Sequence, residues 1–228
     1  MTLAPEQWEA VWLTLDVALR AVLLALPIAV LAGWLLSRRK LPGRWVLDVL
    51  VHLPLVLPPV VTGWLLLLIF GVEGPVGELL WRWFRLRLAF TTNGASLACA
   101  VMILPLMVRA IRLSMEAVDP GLLAAAAGLG AGPVDRFMTI MLPLAAPGLL
   151  AALVGGYATS LGEFGAVITF AADIPGQTRT LPLAIYAALQ VPGGEAQAAR
   201  LATVSLVLAM VGLLVSGSLS RRIGASQG

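Results

Sequence analysis

His52 and Cys99 are the only histidine and the only cysteine in the chain. With so few groups able to move protons or attack as nucleophiles, neither a Ser/His/Asp nor a Cys/His arrangement can be assembled. The same scarcity excludes a His-Glu-x-x-His zinc helix and an intrachain disulfide. Gly128-Leu129-Gly130-Ala131-Gly132 has the glycine density of a phosphate loop, but no strand precedes it and no Gly-Lys-Ser/Thr follows. The expectation is a chain with no catalytic centre, no metal site and no cofactor. Any dependence on ATP-Mg would then come from a partner subunit.

What chemistry remains lies in apolar surroundings. Glu163 is an ionisable group deep in an apolar run, and such residues carry function by default. Its charge would repel an anion, which favours a gate or structural role in which it accepts hydrogen bonds or pairs with an arginine such as Arg179. Gly162 and Gly165 beside it, with Gly155 and Gly156 before it, let another helix approach closely. Pro58 and Pro59 remove two backbone donors inside a second apolar run, so a broken helix facing a pathway is expected there. Thr62, one turn on, could offer a hydroxyl to a passing oxyanion, next to Gly63. Asp16 and Arg20 are spaced to share a helix face and neutralise each other. His52 reads as an interfacial, hydrogen-bonded side chain and Cys99 as a small buried one.

The elements that must hold these groups follow from composition. Of 228 residues, 60% are apolar and 12% charged, and the mean hydropathy is +0.95; a soluble domain carries roughly a quarter charged residues. A soluble fold and a disordered chain are both excluded. The class is all-α: one polytopic helical membrane domain spanning 1–228. A bilayer asks for roughly 20 apolar residues per helix, and five stretches qualify: Val11 to Leu36, Val46 to Phe70, Gly94 to Val108, Leu142 to Phe170 and Leu201 to Ser218. The third is short unless Leu88 to Thr92 extends it. With Glu6 and Glu9 where a secretory signal needs basic residues, the first stretch is expected to be a retained span. Leu181 to Leu189 is too short to span and is expected to lie as an interfacial or re-entrant helix.

The net charge of +3 does not indicate nucleic acid, because the basic residues form no single stripe. Arg38, Arg39, Lys40, Arg44, Arg109, Arg112, Arg136, Arg221 and Arg222 fall on one side of the five spans; Arg82, Arg85, Arg87 and Arg179 fall on the other. The positive-inside rule then puts the N-terminus outside and the C-terminus in the cytoplasm, with Trp81, Trp83 and Phe84 as an aromatic belt. The connection from Arg109 to Met141 is no flexible linker. Ala124 to Ala127 favour helix, Gly128, Gly130 and Gly132 break it, and an apolar pattern resumes at Val134. A helix-turn-helix outside the membrane, shaped to enter a partner's groove, is expected.

The spacing Ala124-Ala125-Ala126, three residues, Gly130, nine residues, Ile140, one residue, Leu142-Pro143 resembles the EAA loop of bacterial ABC-importer permeases. Ala124 stands where that family has a glutamate, which raises the question whether Asp119, Asp135 or Arg136 replaces the charge. Leu57 to Gly63, Leu161-Gly162-Glu163-Phe164-Gly165-Ala166 and the stretch from Ile174 to Tyr186 are similar to the molybdate-type permeases, with tungstate and sulfate permeases as the nearest alternatives. The resemblance implies an inner-membrane homodimer whose loops seat in a cytoplasmic ABC ATPase dimer and whose outer mouth receives an oxyanion from a periplasmic binding protein. A self-contained secondary transporter is the rival class; it would need in-membrane charges arranged for ion coupling or an inverted repeat, whereas Glu163 is the only clear deep ionisable residue and no repeat is evident.

Overall fold

The computed structural model describes residues 4–38 and 41–224, with side chains described up to residue 212. Among the described residues every regular element is helical. Helix α1 (Pro5–Ser37) runs unbroken through Pro27, and α5 (Thr92–Glu116) through Pro105. These two lie against each other. The buried face of α1 carries Ala18, Ala21, Ala25, Ala29 and Ala32 at steps of three or four, which is the stripe one side of a helix presents. In α5, Ala95, Ala98, Ile103, Met107 and Ile111 are all buried. A side chain at Gly33 would meet Ile111 Cγ2 at 2.9 Å. Lipid offers no hydrophobic drive for helices to associate, so small residues that let backbones close up supply the packing gain.

The second apolar stretch is two helices, α2 (Arg44–Val56) and α3 (Pro59–Phe70), with a bend of 118° between them. Leu57 and Pro58 each precede a proline, and both take extended ψ values of 141° and 136°, as steric clash with the proline ring requires. Pro27, Pro54 and Pro105 stand alone and stay inside their helices. A helix the sequence did not announce, α4 (Pro75–Phe84), carries Trp81, Trp83 and Phe84, and Arg87 sits 4.3 Å over the Trp81 ring.

The third stretch is extended at the end opposite to the one expected. Leu88 to Thr91 are not helical, whereas Arg109 to Glu116 continue α5. Arg112 pairs with Glu116 one turn on at 2.9 Å, while Arg109 is exposed. The connection to the next apolar stretch therefore starts at Ala117. It holds α6 (Pro120–Gly128), then α7 (Pro133–Arg136), a π-turn (Phe137–Met141) and α8 (Leu142–Leu144).

The fourth stretch is not one helix either. Helix α9 (Ala146–Ser160) bends 66° from the segment Pro133–Leu144, and after residues 161–164 the short α10 (Gly165–Ala171) starts anew. Helix α11 (Leu181–Leu189) follows, then α12 (Glu195–Gly224). The fifth stretch lies within α12, but the side chains of Arg221 and Arg222 lie outside the described residues, as do Arg39 and Lys40 altogether. By length and composition two helices, Pro5–Ser37 and Thr92–Glu116, can each cross a membrane; the count reaches four if each bent pair is one span. The second and fourth expected spans are thus bent helix pairs and not single continuous helices.

Candidate functional site

The two chain breaks meet. Helix α10 packs on α3, and a side chain at Gly63 would stand 2.6 Å from the Ala166 carbonyl oxygen and 2.8 Å from Thr169 Cβ. One at Gly165 would reach Pro59 Cβ at 2.7 Å and Val60 N at 3.3 Å. Gly63 and Gly165 thus bring the start of α3 onto the start of α10 with nothing between the backbones. Gly156 is similarly tight against Met107 Sδ at 3.0 Å, while Gly155 has ordinary clearance at 3.6 Å. Gly162 is exposed and serves the turn, not a close helix approach.

Glu163 is partly buried at this junction, and its Oε1 accepts a hydrogen bond from Ala166 N–H at 3.0 Å. The carboxylate thus satisfies one of the donors left open at the start of α10. The expected pairing of Glu163 with Arg179 does not occur. Arg179 donates from Nε and a terminal guanidinium nitrogen to the two oxygens of Asp173, at 2.7 and 2.9 Å. The loop folds Asp173 back onto Arg179 six residues on, and a bidentate fork outcompetes a distant partner. The Asp173 hydrogen bonds hold the Arg179 guanidinium above its ordinary pKa. Phe164 stacks obliquely on Tyr186 of α11, ring centres 5.2 Å apart.

Thr62 is 4% exposed, and its Oγ1 has no hydrogen-bond partner. The Pro58 carbonyl four residues earlier accepts from the Thr62 backbone N–H at 3.1 Å, but the hydroxyl does not add the second bond to that carbonyl that helical serines and threonines often make. An unpaired buried hydroxyl costs about 1–3 kcal/mol. Pro58 and Pro59 beside it are exposed.

The second constellation is the helix pair after α5. Asp119 caps α6, its Oδ1 accepting from Gly121 N–H at 2.7 Å. Gly130 ends it with φ +90°. Ala131 N–H then reaches back to the Ala126 carbonyl at 3.0 Å, the bond that closes a glycine-terminated helix. Arg136 ties the two halves by donating to the carbonyls of Leu123 and Gly132, both at 3.4 Å. The α6 segment has no buried residue, and Leu122, Leu129, Val134 and Met138 are exposed. Ala124 and Ala125 face out, Ala126 is half-covered, and Ile140, Leu142 and Pro143 fall in the π-turn and the turn after it. Asp119 and Arg136 are thus engaged within the loop. Asp135 is exposed, and its side chain has no partner among the described residues.

At the same end of the molecule Trp34 of α1 meets Phe137 edge-on at 5.1 Å, and Arg38 stacks on Trp34 at 3.8 Å. These residues and Arg136 line a cavity of about 520 Å³ between the loop and the ends of α1 and α5. At the far end Asp16 and Arg20 pair at 2.9 Å as their spacing requires, and Arg20 also reaches Asn93 at 3.1 Å. His52 Nδ1 lies 2.8 Å from the Asp48 carbonyl, and Cys99 is buried. Among the described residues there is no group of three or more His, Cys, Asp or Glu that could hold a metal.

Residues 25–225 match the family described as the binding-protein-dependent transport system inner membrane component. The chain belongs to this family. It is a permease component and not an enzyme. It is 53% identical over 221 residues to the molybdenum transport system permease protein ModB of Escherichia coli strain K12, covering 97% of this chain and 96% of that one. The sulfate transport system permease protein CysT of Salmonella typhimurium is 34% identical, covering 90% and 74%. Among solved structures, a bacterial alginate ABC transporter in complex with an alginate pentasaccharide-bound periplasmic protein superposes with a TM-score of 0.76. It does so at 18% identity, over 96% of this chain and 80% of that one, which is a likeness of fold. In this permease the motifs around Pro58 and Glu163 meet in space; the Ala124 to Pro143 loop stands apart at the end of the bundle. The Arg179–Asp173 fork was missed, although Asp-x-x-x-x-x-Arg flanking a Pro-Gly turn was available as its signal.

Proposed function

We propose that this permease forms the membrane path of an ATP-driven molybdate importer. The observation that carries the reading is its 53% identity, over nearly its full length, to a molybdenum permease, against 34% to a sulfate one. The chain works as a homodimer in the inner membrane, N-terminus outside and C-terminus in the cytoplasm. Its α6 loop sits in a cleft of a separate ATPase subunit, which holds the ATP-Mg. A periplasmic binding protein delivers the anion to the outer mouth.

The supporting geometry is mechanical. A capped α6 with an apolar, largely exposed surface suits insertion into a groove, and the Arg136 bonds carry force from it into the segment leading to α9. The breaks at Leu57–Pro58 and Leu161–Phe164 lie where α3 and α10 touch, and discontinuous helices in transporters mark the path. Thr62 offers a hydroxyl there, and Glu163 holds the α10 terminus as a gate element. Closure of the ATPase rocks these rigid pieces between outward and inward arrangements. The α11 helix lies at the outer interface.

The test is uptake of labelled molybdate into proteoliposomes holding this chain with its ATPase and binding protein. ATP-dependent uptake blocked by tungstate and not by sulfate supports the reading. Equal competition by sulfate moves the substrate to the sulfate branch, and uptake without an ATPase subunit would make the chain a secondary transporter.

A further inference from the structure

On the face formed by α2 and α5, at the end that holds Arg44 and Glu116, lies a second cavity of about 330 Å³. Its walls include Asp48 and His52 of α2 and Arg109, Arg112 and Glu116 of α5. The charges there form a chain. Arg44 reaches Glu116 at 3.4 Å; Arg112 binds Glu116 at 2.9 Å and Asp48 at 3.2 Å. Two carboxylates are therefore matched by two guanidiniums. Arg109 is left over: it is exposed, lines the cavity, and has no carboxylate or hydrogen-bond partner among the described residues.

One uncompensated guanidinium in a concave, partly apolar site is an anion receptor, and its fork matches a tetrahedral oxyanion bidentately. The Arg112 fork is already committed to carboxylates, so the selectivity falls on Arg109. His52 lines the same cavity without competing for the anion: its Nδ1–H is spent on the Asp48 carbonyl at 2.8 Å, so the donors facing the cavity are those of Arg109. Leu55 and Leu113, 61% and 59% exposed, give the cavity an apolar rim. The position along the chain matters as well: α2 leads from this cavity directly into the Leu57–Pro58 break.

We infer that Arg109 holds a tetrahedral oxyanion at the cytoplasmic mouth of the path. This rests on the molybdate reading for the cargo itself; the same chemistry is also presented by the phosphate of an anionic phospholipid. The pocket lies on the cytoplasmic side of the proline break, so a bound cargo ion there has passed the α3–α10 junction and waits for release.

The purified chain in phosphatidylcholine nanodiscs is titrated with labelled molybdate, and in a second arm nanodiscs containing phosphatidylglycerol are assayed for retained lipid by native mass spectrometry. Wild type, Arg109→Gln and Arg109→Lys are compared, with thermal unfolding as a folding control. Loss of a charge-assisted bidentate contact predicts an affinity about tenfold or more weaker in Arg109→Gln, with Arg109→Lys intermediate. A loss confined to molybdate assigns the cargo, and a loss confined to phosphatidylglycerol assigns the headgroup. Equal binding by wild type and Arg109→Gln in both arms, or no binding by wild type in either, overturns the inference. Failure of the importer reading shows separately, as absence of ATP-dependent uptake by the wild-type complex.

Discussion

Gly63 faces the carbonyl oxygen of Ala166 so closely that a β-carbon on it would lie 2.6 Å from that oxygen. The two residues belong to α3 and α10, the helices that start at the two chain breaks. Because the obstacle is backbone, no side chain can swing away to make room.

Gly63→Ala is therefore expected to cost about 1–3 kcal/mol, the range of overpacking in a tight core, and Gly63→Leu to prevent α10 from docking. Thermal unfolding in detergent measures the first. Uptake by the assembled transporter measures the second, and a Gly63→Leu protein that transports normally would refute the junction's role.

Gly130 has the opposite constraint. Nothing lies within 4 Å of a β-carbon placed there, yet its φ is +90°. Conformation and not bulk then sets the order of tolerance: Asn best, Ala worse, Val worst, with a cost of roughly 1–2 kcal/mol for an ordinary residue forced into left-handed backbone. ATP hydrolysis stimulated by the loaded binding protein should fall in the same order. If Gly130→Ala and Gly130→Val behave alike, the helix-ending turn is not what the loop needs.

Thr62→Val removes a hydroxyl that has no partner. Folding stability should stay level or rise, since the desolvation cost disappears with the group. Uptake should fall if the hydroxyl meets the passing anion, and unchanged uptake would make Thr62 a packing residue only.

Glu163→Gln preserves an oxygen able to accept from Ala166 N–H, whereas Glu163→Ala loses the cap at about 1 kcal/mol. The comparison separates charge from capping. Slowed uptake in Glu163→Gln with unchanged unfolding temperature identifies a gate that needs the charge, and normal uptake at all substrate levels leaves a structural cap.

Arg179→Gln should lower the unfolding temperature, and a double-mutant cycle with Asp173→Asn should give a positive coupling. Asp173 raises the Arg179 pKa. A raised folded-state value stabilises fully below the unfolded value and is lost only above it, beyond the arginine range. The effect of Arg179→Gln should therefore be the same at neutral and mildly alkaline pH.

Much of this was legible in residue order. Asp16 and Arg20 pair because four residues make one turn, and the glycines from Gly128 to Gly132 end one helix before Pro133 starts another. Pro58-Pro59 announced a break, though not that it would be a bend of more than a right angle. Other features resisted because hydropathy averages over windows and cannot see a turn. Leu161 to Phe164 is apolar enough to hide inside a span, yet Glu163 spends its carboxylate on restarting a helix. Arg109 and Arg112 look like loop residues by charge and are helical, since Glu116 and Asp48 neutralise Arg112. The destination of Arg179 was a competition between two carboxylates, and the turn-flanking Asp173 of its own loop wins it over Glu163.

The alanine face between α1 and α5 has one more implication, for where motion can occur. Alanine has no rotamers to exchange, so this seam cannot slip into a second packing by shuffling side chains, as bistable interfaces do. Helices joined this way travel together. A shape change during a transport cycle is then expected to hinge around that pair, with the broken helices turning against it.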